Sequence, residues 1–251
     1  MSKCFKSCQL NRNTFSEAIS GVPFPRGSGL VTRCPTQLIM KKSAPGSAWE
    51  AHASVSWNKA QPESAGVVRT PEELSDVIAN LTNALTDGKL NGFATDCIVI
   101  NVSSPESPDL TIIDLPGIVR TATSGQDIAV ISQVNSLIDH FMSQPRTIIL
   151  AVIPANQDIA TIDILERAAK VDPNGTRTIG VLTKPDLIGP GSEDEVVQVL
   201  RNVRKPLSLG YIMVKNPSQK EVQNLVCLDS TKPKVLTHHA SSNPVNCFDI
   251  S

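Results

Sequence analysis

From residue 98 onward, short apolar runs alternate with longer stretches of helical period, and few folds accommodate that alternation. Ile98 to Val102 and Leu110 to Asp114 read as strands, joined by the turn-rich Ser103-Ser104-Pro105-Glu106-Ser107-Pro108. Two strands across a short loop suggest an antiparallel hairpin. Ile128, Ile131, Val134, Leu137, Ile138 and Phe141 then recur at helical spacing until Gln144-Pro145. Thr147 to Ile153 is a nearly unbroken apolar run, as a parallel strand buried on both faces requires. A helix over Asp158 to Lys170 follows, then a strand from Thr178 to Leu182. Ser192 and Glu195 have the spacing of a capping box ahead of Val196, Val199, Leu200 and Val203. A last strand runs from Leu209 to Val214. The order β, β, α, β, α, β, α, β predicts a mostly parallel sheet with helices on both faces.

The N-terminal part is less regular. Residues 1–20 are polar, with a short apolar patch at Phe15, Ala18 and Ile19. Ser20 to Pro35 reads as a loop, and its Gly27-Ser28-Gly29 gives the backbone freedom to wrap a ligand or to serve as a plain connector. Gln37 to Lys41 alternates around Leu38 and Met40 and suggests an edge strand; residues 43–66 read as an irregular insertion. Thr70-Pro71-Glu72-Glu73 opens a helix: Thr70 caps, Pro71 suits the first helical position, and Glu73 completes a capping box. Leu74, Val77, Ile78, Leu81 and Leu85 form its buried stripe, and Asp87-Gly88 ends it. The last thirty or so residues carry no periodicity, and His238 and His239 read as solvated tail residues.

Composition narrows the function. A net charge of -1 provides no basic field for nucleic acid or anionic lipid. The six cysteines lack C-x-x-C spacing, which favours reduced thiols over a disulfide framework or a zinc site. No apolar run has the length of a membrane span, and no signal peptide is evident, so the cytoplasm is the expected location.

Three stretches carry candidate chemistry. Leu110-Thr111-Ile112-Ile113-Asp114-Leu115-Pro116-Gly117 delivers a carboxylate at the C-terminal end of a strand, where ligands bind in open α/β sheets. Asp114 there can hold Mg²⁺ through water, and the N–H of Gly117 can face a phosphate. Thr183-Lys184-Pro185-Asp186 fits [N/T]-K-x-D. Its carboxylate can accept from N1–H and N2–H₂ of guanine, two donors that adenine lacks. The Lys184 stem can lie along the base. Upstream, Thr32 offers a hydroxyl, and Arg26 and Arg33 offer charge.

Taken in this order, these motifs resemble the GTPase domain of the dynamin superfamily, most closely its interferon-induced Mx branch. The resemblance runs from about Glu17 to Glu221. It is carried by Pro25 to Pro35, Pro108 to Ile118, Thr147 to Asp158, Thr161 to Leu187 and Gly210 to Gln219. It implies a Ras-like P-loop GTPase-type fold, incomplete at both ends: an irregular segment over 1–16 in place of the P-loop region, a partial G domain over 17–221 and an irregular tail over 222–251. By resemblance, Thr32 binds Mg²⁺ and helps place the attacking water, and Asp114 and Gly117 are the switch-II pair. Arg26, Gly27, Ser28 and Gly29 line the nucleotide. Thr183, Lys184, Asp186 and Leu187 read guanine, while Asn216, Ser218 and Gln219 pack on base and ribose. Pro217 stands where dynamins usually carry Arg. The implied ligands are GTP or GDP with Mg²⁺. The implied partners are a second family G domain and, by analogy, membrane or microtubules, with no nucleic acid.

One family element is missing from the chain. G-x-x-x-x-G-K-[S/T] occurs nowhere, and Asn11-Arg12-Asn13 align where Gly-Lys-Ser is expected. The expectation is therefore a dynamin-type domain that binds GTP weakly with little turnover. The alternatives are a non-catalytic pseudo-GTPase acting as a binding module for full-length relatives, and a chain that fails to fold.

Overall fold

Strand β2, Thr36–Lys42, lies between two strands far downstream of it. It runs parallel to β5, Cys97–Ser104, and antiparallel to β6, Leu110–Asp114. This computed structural model describes residues 3–8, 17, 20, 22, 24, 32–56, 63–86, 93–117, 128–215, 234–237 and 246–249. The chain divides into two compact units, Met1–Ile148 and Ile149–Ser251.

In the first unit the strand order is β1 (Lys3–Cys8), β6, β2, β5, β3 (Glu50–Ser56), β4 (Glu63–Val68). Strand β1 pairs parallel with β6. Strands β3 and β4 form an antiparallel pair. Four expectations change here. Residues 98–114 are not a hairpin, because β2 occupies the place between β5 and β6. For the same reason β2 is an interior strand and not an edge. The insertion read as irregular holds β3 and the first four residues of β4. Its pattern was faint because the buried positions of β3 are Ala51, Ala53 and Val55, and alanine has little strand preference. The segment 1–16 also contains a strand, β1.

Helix α1, Pro71–Leu85, starts as its sequence requires. Thr70 Oγ1 accepts from the Glu73 N–H at 3.4 Å, and Pro71 occupies the first turn. The Glu73 carboxylate closes the cap one residue earlier than a capping box does, accepting from the Arg69 N–H at 3.3 Å. Leu74 and Ile78 are buried, with Val77, Leu81 and Leu85 packed against the core that contains Leu38, Met40, Ile98, Ile100 and Ile112. Helix α2 spans Ile128–Met142, with Val134, Ile138 and Met142 buried.

In the second unit β7, Thr147–Pro154, β8, Thr178–Thr183, and β9, Tyr211–Lys215, run parallel. Strands β10, Lys234–Thr237, and β11, Asn246–Asp249, continue antiparallel within the stretch that shows no periodicity in sequence. Ala151, Val152, Val181 and Leu182 are all buried, as their unbroken apolar runs predict.

The helix expected over 158–170 is divided. The Asp158 carboxylate accepts from the Ala160 N–H at 2.9 Å and caps a 3-10 turn, Ile159–Thr161. Ile162 is extended, and helix α3, Asp163–Val171, begins after it. Helix α4, Glu193–Leu200, follows Ser192, which makes no side-chain cap. The Glu193 carboxylate instead accepts from the Gly191 N–H at 2.7 Å. The sheet is thus mixed, with parallel strands and four α-helices among the described residues, an α/β architecture of the Ras-like GTPase class.

Two packing details carry measurable consequences. A Cβ on Gly180 would stand 2.0 Å from Cδ1 of Tyr211, whose buried ring is tied by its hydroxyl to the Lys205 carbonyl at 2.6 Å. Gly180→Ala is expected to cost about 1–3 kcal/mol in urea unfolding; an unchanged midpoint would show that the ring moves aside freely.

The Asp172 carboxylate accepts from Thr178 Oγ1 at 2.6 Å, from the Thr176 and Arg177 N–H groups at 3.0 Å, and from Thr176 Oγ1 at 3.1 Å. Burial pushes this carboxyl up, but the bonds from Thr178, Arg177 and Thr176 prevail and hold it below its ordinary value. A folded pKa below the unfolded value of about 3.9 stabilises the fold above that pH, and the contribution is lost as pH falls through the folded value. Asp172→Asn is expected to lose about 1–3 kcal/mol at pH 7. It should also flatten the acid limb of the stability profile below about pH 4. Parallel acid limbs in the two proteins would refute this.

Candidate functional site

The first unit brings two of the expected residues into contact. Asp114 is the last residue of β6 and is 2% exposed. The Thr32 hydroxyl donates to Asp114 Oδ2 at 2.8 Å, across 82 positions of sequence. The approach follows from register: Thr36 faces Asp114 in the antiparallel β2–β6 pair, so the chain entering β2 passes the end of β6. Leu115 and Pro116 are buried after it, and Gly117 is half-buried. A hydroxyl and a carboxylate are hard oxygen donors of the kind Mg²⁺ takes while keeping several of its waters. Among the described residues no group of three or more His, Cys, Asp or Glu is placed to hold a metal. A threonine hydroxyl and one carboxylate suit an ion that draws its other ligands from water and ligand oxygens.

The segment that carries Thr32 is anchored. Arg33 Nη2 donates to Asn83 Oδ1 at 2.6 Å, and the Ala94 N–H donates to the Arg33 carbonyl at 3.0 Å. Cys34 Sγ lies 3.7 Å from Thr82 Oγ1. Burial pushes the Cys34 thiol up to about 11 and that of Cys97 to about 12, so both are protonated at neutral pH. Both are free cysteines.

In the second unit, Thr183, Lys184, Asp186 and Leu187 follow one another at the end of β8. Thr183 is buried; its hydroxyl donates to the Ile153 carbonyl at 3.3 Å, and its carbonyl accepts from the Ala155 N–H at 2.7 Å. It pins the ends of β7 and β8 together. Lys184 is left-handed, with φ 55°, and caps the 3-10 turn Pro185–Leu187. A residue before proline avoids the right-handed helical region, and a non-glycine residue in the left-handed one costs roughly 1–2 kcal/mol. That strained turn leaves the Asp186 and Leu187 side chains exposed. Such outliers gather where a side chain must be aimed.

The other expected residues, Arg26, Gly27, Ser28, Gly29, Asn216, Ser218 and Gln219, lie outside the described residues, as does the Asn11-Arg12-Asn13 segment. The second unit also holds a cleft of about 190 Å³ that sequence spacing does not reveal. Its floor includes Ile153, Leu182 and Val199, and its rim includes Asp158, Glu195 and Arg204. Arg204 lies 3.3 Å from Glu195 and 3.9 Å from Asp158.

The mixed α/β sheet, with a carboxylate ending one strand beside a threonine hydroxyl, has the Ras-like fold expected of the GTPase class. Comparison with known proteins makes this specific. The Dynamin family matches residues 13–185. The interferon-induced GTP-binding protein Mx2 of Oncorhynchus mykiss is 41% identical over 86% of this chain, which spans 33% of that relative. The interferon-induced GTP-binding protein Mx of Perca fluviatilis is 40% identical over 86% of this chain and 70% of its own length. The interferon-induced GTP-binding protein Mx2 of Homo sapiens is 41% identical over 90% of this chain, which spans 30% of that protein. The chain belongs to the dynamin family, as a G domain close to its Mx branch. It spans about a third of most of these curated relatives. No helix among the described residues is long and apolar enough to cross a membrane.

Strain at Lys184 has its own test. Lys184→Gly is expected to leave unfolding stability within about 1 kcal/mol of the parent, because relief of the left-handed backbone offsets the added freedom of the unfolded chain. Lys184→Val should lose about 1–2 kcal/mol more, since a β-branched residue tolerates that region poorly. Equal stabilities for the two variants would refute the strain.

Proposed function

We propose that this chain binds a guanine nucleotide with Mg²⁺. The observation that carries the reading is the 2.8 Å contact between Thr32 and Asp114, two residues brought together only by the fold. In this reading Thr32 and Asp114 hold the ion, Gly117 faces the terminal phosphate, and Asp186 reads the base. When bound, Mg²⁺ neutralises charge on the phosphate oxygens. Asp114 would accept hydrogen bonds from the ion's waters, and Thr32 would contribute a hydroxyl oxygen. Thr183 fixes the start of the base-reading turn, and Lys184 lays its stem along the purine. Arg26, Gly27, Ser28 and Gly29 contribute phosphate contacts, with Asn216, Ser218 and Gln219 at the base and ribose.

The intact family positions water against the γ-phosphate and releases GDP. In this chain the phosphate cradle of G-x-x-x-x-G-K-[S/T] is not encoded. That cradle and its lysine supply much of the affinity and charge stabilisation for phosphates. We therefore assign weak nucleotide binding with little turnover. The absent motif also favours a second reading, a non-catalytic module that pairs with G domains of full-length relatives. Membrane or microtubule association, and a cytoplasmic location, are extensions by family analogy.

Titration of the whole chain with a fluorescent GTP analogue is expected to give Mg²⁺-dependent binding that GTP competes away and ATP does not. Asp186→Asn should shift the preference from guanine toward xanthine, whose C2 carbonyl matches the new amide donor. Equal competition by ATP and GTP, or an unaltered base preference in the variant, would overturn the guanine-reading role.

A further inference from the structure

We infer that Asn83, in the last turn of α1, is a positioning residue for Thr32. The inference rests on the reading of Thr32 and Asp114 as the Mg²⁺ pair. Thr32, Arg33 and Cys34 are held at three successive points. Thr32 donates to Asp114 at 2.8 Å; Arg33 donates to Asn83 at 2.6 Å; Cys34 lies 3.7 Å from Thr82. Thr82 Oγ1 gives its own proton to the Ile78 carbonyl at 2.7 Å, so the Cys34 thiol is the donor to Thr82. Two of these three ties end on α1, which therefore sets where the chain leaves the loop before β2.

The charge arrangement has a physical logic. The last turn of α1 contains no basic residue of its own. Arg33 brings a guanidinium to that end, where the helix dipole favours positive charge. The turn is rigid enough to serve as an anchor: Thr86 Oγ1 donates to the Thr82 carbonyl at 2.8 Å, and the Thr86 N–H donates to the same carbonyl at 3.1 Å. The Asn83 amide oxygen selects one direction for the Arg33 fork. With Arg33 fixed, the preceding residue has little freedom, and its hydroxyl stays over Asp114. Loss of that tie removes one of the three side-chain anchors of the loop end.

Asn83→Ala, Asn83→Asp and Asn80→Ala in the full chain separate this role from helix stability. Asn80 is exposed on the same helix, so its substitution reports propensity alone. Two quantities are measured: amide hydrogen exchange at Thr32, Arg33 and Cys34 without nucleotide, and the Mg²⁺ concentration giving half-maximal binding of a fluorescent GTP analogue. In Asn83→Ala both are expected to rise about three- to tenfold, the size of one lost hydrogen bond. Asn83→Asp, which keeps an acceptor for Arg33, should restore both, and Asn80→Ala should move neither. Unchanged exchange at Thr32 to Cys34 in Asn83→Ala, or equal effects of Asn83→Ala and Asn80→Ala, would overturn the inference. Exchange that rises while wild type and variants share one Mg²⁺ dependence would overturn the positioning role and leave the nucleotide reading intact. Absence of any Mg²⁺-dependent binding in wild type would overturn the nucleotide reading, and this inference with it.

Discussion

A carboxylate taken almost wholly out of water must be met by donors, and at Asp114 one of them comes from Thr32. Burial of an unpaired charge costs several kcal/mol in a folded protein, of the order of a small domain's whole stability. The hydroxyl is brought to Asp114 by chain register and by the ties on α1. Much of the first unit's arrangement converges on this point. Strand β2 has to lie antiparallel to β6 for Thr36 to face Asp114, and the loop end has to be fixed for Thr32 to reach back.

The second unit meets a similar demand by other means. Thr183 is buried, and hydrogen bonds link it to both Ile153 and Ala155. The rigid seam beneath it lets Lys184 hold an unfavourable backbone conformation, and that conformation presents Asp186 to solvent. A flexible surface turn would relax out of the left-handed region; one rooted in two buried strands cannot do so cheaply. The Asp172 network performs the corresponding task at the opposite end of β8, where one carboxylate organises the three residues from Thr176 to Thr178.

Much of this was legible in the sequence, for identifiable reasons. Helix α1 was readable because Thr70 and Pro71 mark its start and an apolar stripe marks its inner face. Helix α2 was readable from period alone, and β7 and β8 from length and β-branched content. What failed was local information overridden by tertiary context. Alternation in β2 gives a buried face but says nothing of its neighbours, so the strand passed for an edge. Alanine and glycine in β3 and β4 hid an antiparallel pair whose register shifts between Ala53 and Ser54. Asp158 satisfies a 3-10 turn as well as an α-helix, and the extended Ile162 that separates the two has no sequence mark. At the site, Asp114 and the Thr183 to Asp186 turn were visible as strand-end motifs, whereas the role of Thr32 came from family resemblance. Asn83 was invisible: an exposed asparagine near a helix end reads as a solvated residue, and its partner lies 50 positions earlier.

The placement of β2 also constrains how the chain assembles. The strand ends at Lys42, but its partners begin only at Cys97 and Leu110, and each requires a long loop to close before any ladder bond forms. Loop closure on that scale is entropically costly and slows the search for native pairing. During synthesis at the ribosome, β2 emerges with neither flank available, an apolar ribbon open to chaperones or to other strands until β6 is complete. The interior position that later shields Leu38 and Met40 is therefore also the reason this region is vulnerable before folding finishes.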